Sequence, residues 1–299
     1  MDEEASLPLA SRMIFSSLRA IPVGFRKMFF TALLLAYYYI APIRRNVALE
    51  NLQLAFPDKD PGELSKIAKG VYRNMAIVAA EFFDLPSWTR ETISRIVAVE
   101  GLEHCIAALK KKRGLLLFGA HFGNWELAAA AIPLLLKPVV VIYRPLDNAI
   151  LEHLVTWVRQ TTGNAVMAKD SAMWPMLRVL RKNGILGLLV DQNTGEWEGV
   201  FVDFFGRPAC TTNGPALLAL HTGAPVVPVF MVRQDDGRYR IIFSPAVDII
   251  HTEDRENDVI ENTRNFTAII EKMVRRYPDQ WLWVHQRWKE KKIGEEAGG

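Results

Sequence analysis

Cysteine is nearly absent. The 299-residue sequence holds two, Cys105 and Cys210, which make neither a disulfide framework nor a CxxC metal or redox motif. A reducing compartment fits that usage. Histidine is sparse and scattered: six, at 104, 121, 153, 221, 251 and 285, with no HExxH-like pair, so no metal site is expected. An excess of one charge is also missing. A formal net charge of +3 removes any global electrostatic argument for nucleic acid. Charged residues, at 23%, are too evenly spread for a disordered chain. No internal repeat, low-complexity linker or clear boundary interrupts the sequence after residue 45. Hydrophobic residues, by contrast, are plentiful: they make up half of the chain, enough for a substantial core.

Basic residues cluster locally at Arg26-Lys27, Arg44-Arg45, Lys110 to Arg113, Arg181-Lys182 and Arg287 to Lys292. Several clusters lie beside apolar segments, which suits an anionic membrane surface, although solvated helix ends explain any single one equally well. The apolar run from Met28 to Ile43 is broken only by Thr31, the tyrosines and Pro42. As a helix its sixteen residues reach roughly 24 Å, short of a hydrocarbon core of about 30 Å. Tyr37, Tyr38 and Tyr39 sit at one end, as an interfacial aromatic belt would place them. The start is acidic (Asp2, Glu3, Glu4) and no small-x-small site follows the run, so a secretory signal is disfavoured. The favoured expectation is a helix lying in, or dipping into, one leaflet. A full span comes second, and a buried core helix stays open.

Beyond it, "NVALENLQLAFP" reads as a helix stopped by Pro57, and Asp60-Pro61 opens another that Pro86 closes. From about residue 97 strands and helices alternate. "LLLF", "PVVVIYR", "AVMA", "ILGLLV", "PVVPVFMV" and "RYRIIF" read as strands. The stretches between include a helix capped by Ser171 and a long one near 256–276. This order predicts an α/β fold with a mainly parallel sheet flanked by helices. The expected division is a membrane-associated helical segment over 1–45 and one domain over 46–299.

In open sheets of this kind ligands bind beyond the carboxyl ends of the strands. Three polar groups fall there: His121 after "LLLF", Arg144 after "VVVIY", and Asp191-Gln192 after "ILGLLV". His121 and Glu126 within one helix would face about 140° apart. The spacing makes sense if His121 lies in a loop and the helix starts near Asn124. Asn124 then caps it, and Glu126 falls in a first turn that favours carboxylates. Gly119 and Gly123 let the backbone turn tightly there. A carboxylate on one imidazole nitrogen leaves the other free to take a proton. The residues alone leave a catalytic dyad and a structural polar pair both open.

The octapeptide "GAHFGNWE" (119–126) resembles the HxxxxD/E motif of the glycerolipid and lysophospholipid acyltransferases. Further blocks are "RRNVALENLQLAFPD" (44–58), "YRP" (143–145), "DQNTGEWEGVFVDFFGRPACTTNGPALLAL" (191–220), "GAPVVPVF" (223–230) and "WLWVHQRWK" (281–289). Together, over about residues 20 to 290, they resemble the late acyltransferases of lipid A biosynthesis, the HtrB/MsbB-like lauroyl and myristoyl transferases. The resemblance implies a glycerolipid-acyltransferase-like fold. His121 would be the general base and Glu126 would orient and charge-stabilise its imidazolium. The acyl group would pass directly to the acceptor, in keeping with the lack of a G-x-S-x-G elbow. Substrate contacts would come from Arg144, Asp191, Gln192, Arg207 and Asn124, with Asp191 holding Arg144 or touching the sugar. Trp197, Phe201, Phe204 and Phe205 would line an acyl pocket or meet the bilayer, with plain core packing as the alternative. The C-terminal tryptophans read as packing the domain or sitting at the membrane interface, and His285 is not counted as catalytic.

The same resemblance implies an enzyme without metal or other cofactor, taking acyl-ACP or acyl-CoA as co-substrate. It would acylate a lipid A precursor at the cytoplasmic face of a bacterial inner membrane. An acidic acyl carrier protein would dock on the basic clusters. Other acceptors, such as a phosphatidylinositol mannoside or an aminolipid, a thioester hydrolase, and a non-catalytic membrane-binding homologue stay open. A phosphatidate-forming enzyme is disfavoured: glutamate stands for the usual aspartate, and no "FPEGTRS"-like block occurs.

Overall fold

Proline sets the breaks in the first hundred residues. The computed structural model describes residues 7–169 and 173–290. Helix α1 (Leu9–Ala20), unforeseen in the sequence, and α2 (Val23–Ile40) meet at Pro22 with a bend of 111°. Pro42 then opens α3 (Pro42–Ala55) at a position where its missing N–H costs nothing. No described helix is by itself long and apolar enough to cross a membrane; the bent pair passes that test jointly, by length and composition only. In α4 (Pro61–Phe82) the Asp60 side chain accepts from the N–H groups of Gly62 and Glu63, as its cap position predicts. Helix α2 packs along α4, and α1 rests on a helix of the α/β part, where Ser11 Oγ donates to the Ile150 carbonyl at 3.0 Å.

The α/β part starts with α5 (Arg90–Ile96), β1 (Val97–Glu100) and α6 (Leu102–Lys110). Then come β2 (Leu115–Gly119), α7 (Trp125–Leu135), β3 (Val139–Tyr143), α8 (Ala149–Thr161), β4 (Ala165–Ala168), α9 (Met173–Arg181) and β5 (Ile185–Leu189). A hairpin, β6 (Gly199–Phe204) and β7 (Arg207–Thr212), precedes α10 (Gly214–Thr222), β8 (Val226–Arg233), β9 (Tyr239–Phe243) and α11 (Arg255–Arg276). The seven-stranded sheet runs β1-β9-β8-β2-β5-β3-β4. Strands β8, β2, β5, β3 and β4 are mutually parallel, and only the β8–β9 pair runs antiparallel. The predicted α/β fold with a mainly parallel, helix-covered sheet is what the chain adopts.

Strand β2 shows why. All five of its residues are buried. Leu116 and Phe118 join the core with α9, α10 and α11, whereas Leu115 and Leu117 join the core with α7 and α8. Side chains alternate between faces, so a strand covered on both sides reads as an unbroken apolar run. Pro133 does not end α7, which continues to Leu135. Ser171, the expected cap of α9, lies outside the described residues, as do Lys291 and Lys292 of the basic tail.

Candidate active site

The site begins with register. Gly119 of β2 pairs with Leu189 of β5, so residues two further along each chain leave the sheet side by side. These are His121 and Asp191. The ring Nδ1 lies 2.9 Å from Asp191 Oδ1, and the His121 backbone N–H donates to Oδ2 at 3.0 Å. Trp281 Nε1 donates to the same Oδ2 at 2.8 Å. Burial pushes the Asp191 carboxyl pKa up, but the His121 charge and hydrogen bonds, with that of Trp281, leave it below the ordinary value. An ionised Asp191 requires a proton on Nδ1. Nε2 is then the free, basic nitrogen, on a side chain 23% exposed.

Glu126 occupies the first turn of α7, as the spacing predicts, but its partner differs from the expected one. Arg159 of α8 holds it with two hydrogen bonds, Nε to Oε2 at 3.0 Å and Nη2 to Oε1 at 2.6 Å. Trp125 Nε1 adds a third at 3.0 Å. Burial alone would raise the Glu126 pKa; Arg159, Trp125 and the nearby His121 outweigh it, and the carboxyl sits below its ordinary value. The imidazole is therefore oriented by Asp191, from the neighbouring strand, while Glu126 contributes charge from a second position. Asp191, in turn, holds His121 and Trp281 rather than Arg144. Arg159 and Trp281 were not singled out in the sequence. The available signal for Arg159 was a cation one turn beyond Val155 on the apolar side of an amphipathic helix.

The loop carrying His121 is clamped on several sides. Gly123 has φ of +57° and pairs with Met231 of β8 so closely that a Cβ would lie 1.6 Å from the Met231 carbonyl oxygen. Its N–H donates to the Gln280 carbonyl, and the Leu282 N–H donates to that of His121. Asn74 of α4 donates to the Gly123 carbonyl at 2.9 Å. Asn124 caps α7 through the Leu127 N–H at 2.9 Å and donates to Glu81 at 2.7 Å. It is 1% exposed with its amide engaged at both ends, which corrects the expectation of a substrate contact there. The C-terminal tryptophans do pack the core, yet Trp281 also bonds the site. His285 stands near as well: its Nε2 accepts the Asn193 N–H at 3.2 Å. Burial lowers its pKa, with His121, Arg287 and Arg44 adding to the effect and Asp191 opposing it.

The remaining predicted residues are scattered between the rim and the core. Arg144 is 76% exposed, and among the described residues its ion pair is with Asp147, at 3.8 Å. Gln192 is half-buried beside Asp191, and Arg207 is exposed in the β6–β7 hairpin. Of the four aromatics, Phe204 and Phe205 are core residues packed on Trp281, Trp288, Trp283 and Phe56. Phe201 is half-buried and Trp197 is 88% exposed, so the four do not converge on one pocket. An apolar cleft opens elsewhere, between α7 and the sheet. Leu117, Ala128, Ile132, Val141 and Gly187 line it together with Glu126 and Arg159, around a narrow cavity of about 80 Å³. Among the described residues no group of three or more His, Cys, Asp or Glu is placed to hold a metal ion.

Known proteins give this geometry its context. Residues 9–290 match the family described as bacterial lipid A biosynthesis acyltransferase. A lipid A biosynthesis palmitoleoyltransferase of Escherichia coli is 28% identical over 256 residues, covering 85% of this chain and 81% of that protein. A lipid A biosynthesis acyltransferase of Haemophilus influenzae is 30% identical over 275 residues, 91% of this chain and 84% of its own. A phosphatidylinositol mannoside acyltransferase of Mycolicibacterium smegmatis is 26% identical over 212 residues, 70% of this chain and 67% of its own. With nearly the whole chain matched, and a strand-end histidine beside an apolar cleft, the protein belongs to the bacterial lipid A biosynthesis acyltransferase family.

Proposed function

We propose that the protein transfers a fatty acyl chain from an acyl thioester, carried by acyl carrier protein or CoA, to a hydroxyl of a lipid A precursor. The observation that carries this reading is the 2.9 Å contact of His121 Nδ1 with Asp191, which leaves Nε2 free on a partly exposed ring. Nε2 takes the proton of the acceptor hydroxyl as its oxygen attacks the thioester carbonyl. The tetrahedral oxyanion collapses, the C–S bond breaks, and the imidazolium returns the proton to the leaving thiolate. Asp191 orients the ring and stabilises its charged form. Glu126 adds a second negative charge beside it, held by Arg159. The cleft under α7 receives the acyl chain, in place of the pocket expected around Phe204 and Phe205. Arg144 and Arg207, both exposed, suit the phosphates of the acceptor.

The membrane reading rests on the outer faces of α1 and α2. Leu9, Met13, Phe25, Met28, Phe29 and Leu33 are exposed there, and so are Tyr37 and Tyr39. A bent pair of this kind lies in one leaflet and brings the site to the cytoplasmic face of the inner membrane. The segment over 1–45 then serves as the anchor of the domain over 46–299. The formed His121–Asp191 pair favours an enzyme over a non-catalytic homologue. The greater coverage and identity of the lipid A relatives favour their acceptor over a phosphatidylinositol mannoside. Mass spectrometry of lipid A from cells with and without this protein tests the reading. One acyl chain missing per molecule in its absence is the expected result, and unchanged lipid A overturns it.

A further inference from the structure

Glu81 ends its helix inside the protein, 5% exposed. Its carboxylate meets three donors: Lys27 Nζ at 2.6 Å, Asn124 Nδ2 at 2.7 Å and the Tyr239 hydroxyl at 2.6 Å. Two of these are neutral groups of the α/β part. The single cation comes from α2, whose neighbouring Phe25, Met28 and Phe29 are exposed. The residue before it, Arg26, is buried and reaches both oxygens of Asp84 at 2.5 Å. Two consecutive cations thus pin one turn of α2 to two carboxylates at the end of α4.

From Glu81 the contacts lead straight into the site. Asn124 caps α7, so it fixes the turn that carries Glu126, and it follows His121 by three residues. Two helix turns back along α4, Asn74 holds the Gly123 carbonyl of the same loop. Tyr239 is locked in β9, which leaves Lys27 as the member of the cluster that depends on where α2 sits. Without its ammonium, Glu81 keeps a buried negative charge with no counter-charge, and the cheapest relief is to turn towards water and release Asn124.

We infer that Lys27 and Glu81 are positioning residues, through which the docked helix α2 seats the catalytic loop. The inference rests on the acyltransferase reading above. It makes α2 part of the support of the site as well as its anchor. A displacement of about 1 Å in a reacting group costs up to about a hundredfold in rate.

The test uses the full chain in mixed micelles with an acyl thioester and a lipid A precursor. Lys27→Met is expected to lower kcat about tenfold or more with KM little changed. Its sedimentation with phosphatidylethanolamine–phosphatidylglycerol vesicles should match that of the wild type. Adding Glu81→Gln should restore part of kcat, because a neutral amide still accepts from Asn124 and needs no cation. Lys59→Met, which breaks a surface pair with Glu63 at the start of α4, is the control. Wild-type kcat in Lys27→Met overturns the inference, as does a loss of kcat that merely tracks lost vesicle binding or a lowered melting temperature. If the wild type itself shows no transfer, the functional reading fails instead. The positioning role then stands or falls on NMR spectra of 15N-histidine-labelled protein. His121 ring signals should move in Lys27→Met and stay in Lys59→Met; unmoved signals in both overturn it.

Discussion

Two loops leave the same edge of the sheet and are built in opposite ways. The β2–α7 loop, with His121, is tied to β5, β8, α4 and the C-terminal segment by backbone and buried side-chain hydrogen bonds. The β3–α8 loop, with Arg144, is exposed from residue 144 to 148; among the described residues its ties are the Leu146 N–H to Glu152 at 2.8 Å and Asn148, which caps α8. A base must be placed to a fraction of an ångström before substrate arrives, and only packed elements do that. A phosphate-binding arginine serves from an exposed rim, because ordering it can wait for the ligand. On the proposed mechanism the difference divides chemistry, on the clamped loop, from recognition, on the open one.

The largest expected effect comes from breaking the clamped side. Arg159→Met leaves Glu126 buried with Trp125 as its remaining donor, and should cost about 3 kcal/mol of stability together with most of kcat. Chemical denaturation beside steady-state kinetics checks both; a stable, fully active variant would show that the Arg159–Glu126 pair is incidental. Next is the cleft. Ala128→Leu fills space beside Ile132 and Gly187. It should shift the ratio of kcat/KM for long against short acyl donors by about tenfold. An unchanged ratio would move the acyl chain elsewhere. On the open side, Arg144→Ala should raise the acceptor KM about tenfold with kcat and melting temperature unchanged. A fall in kcat instead would make that loop part of the chemistry.

The smallest effect is a pH dependence. The folded pKa of His285 lies below its ordinary 6.5, chiefly through burial. Between the two values the unfolded chain binds the extra proton, so this residue's contribution is full above pH 6.5 and falls as pH drops towards the folded pKa. Thermal melts from pH 7.5 to 5.5 should therefore decline less steeply in His285→Gln than in the wild type. Parallel declines would mean that His285 titrates alike in both states.

The strands and their order of helices were legible because a doubly covered sheet writes itself as short apolar runs. The ends of those runs pointed to His121 and Asp191. Their pairing was not legible, since it depends on β5 inserting next to β2, and the nearer Glu126 drew the assignment. The β6–β7 hairpin was hidden for a local reason. Its two-residue turn places Phe205 and Gly206 at φ of +57° and +72°. Asparagine or aspartate usually fills the first such position. Phe205 takes it because its ring packs between Phe56 and Trp283 under Arg275, so tertiary contacts override turn chemistry. The tie of Trp281 to Asp191 spans ninety residues of sequence and leaves no local trace.

Acyl transfer by purified His121→Ala, from a thioester donor to a lipid A precursor, tests the mechanism most directly when run beside its melting curve and vesicle binding. Loss of the general base should lower transfer by about 10²- to 10⁴-fold with folding and membrane binding intact. Transfer at the wild-type rate by that variant would contradict a base at position 121.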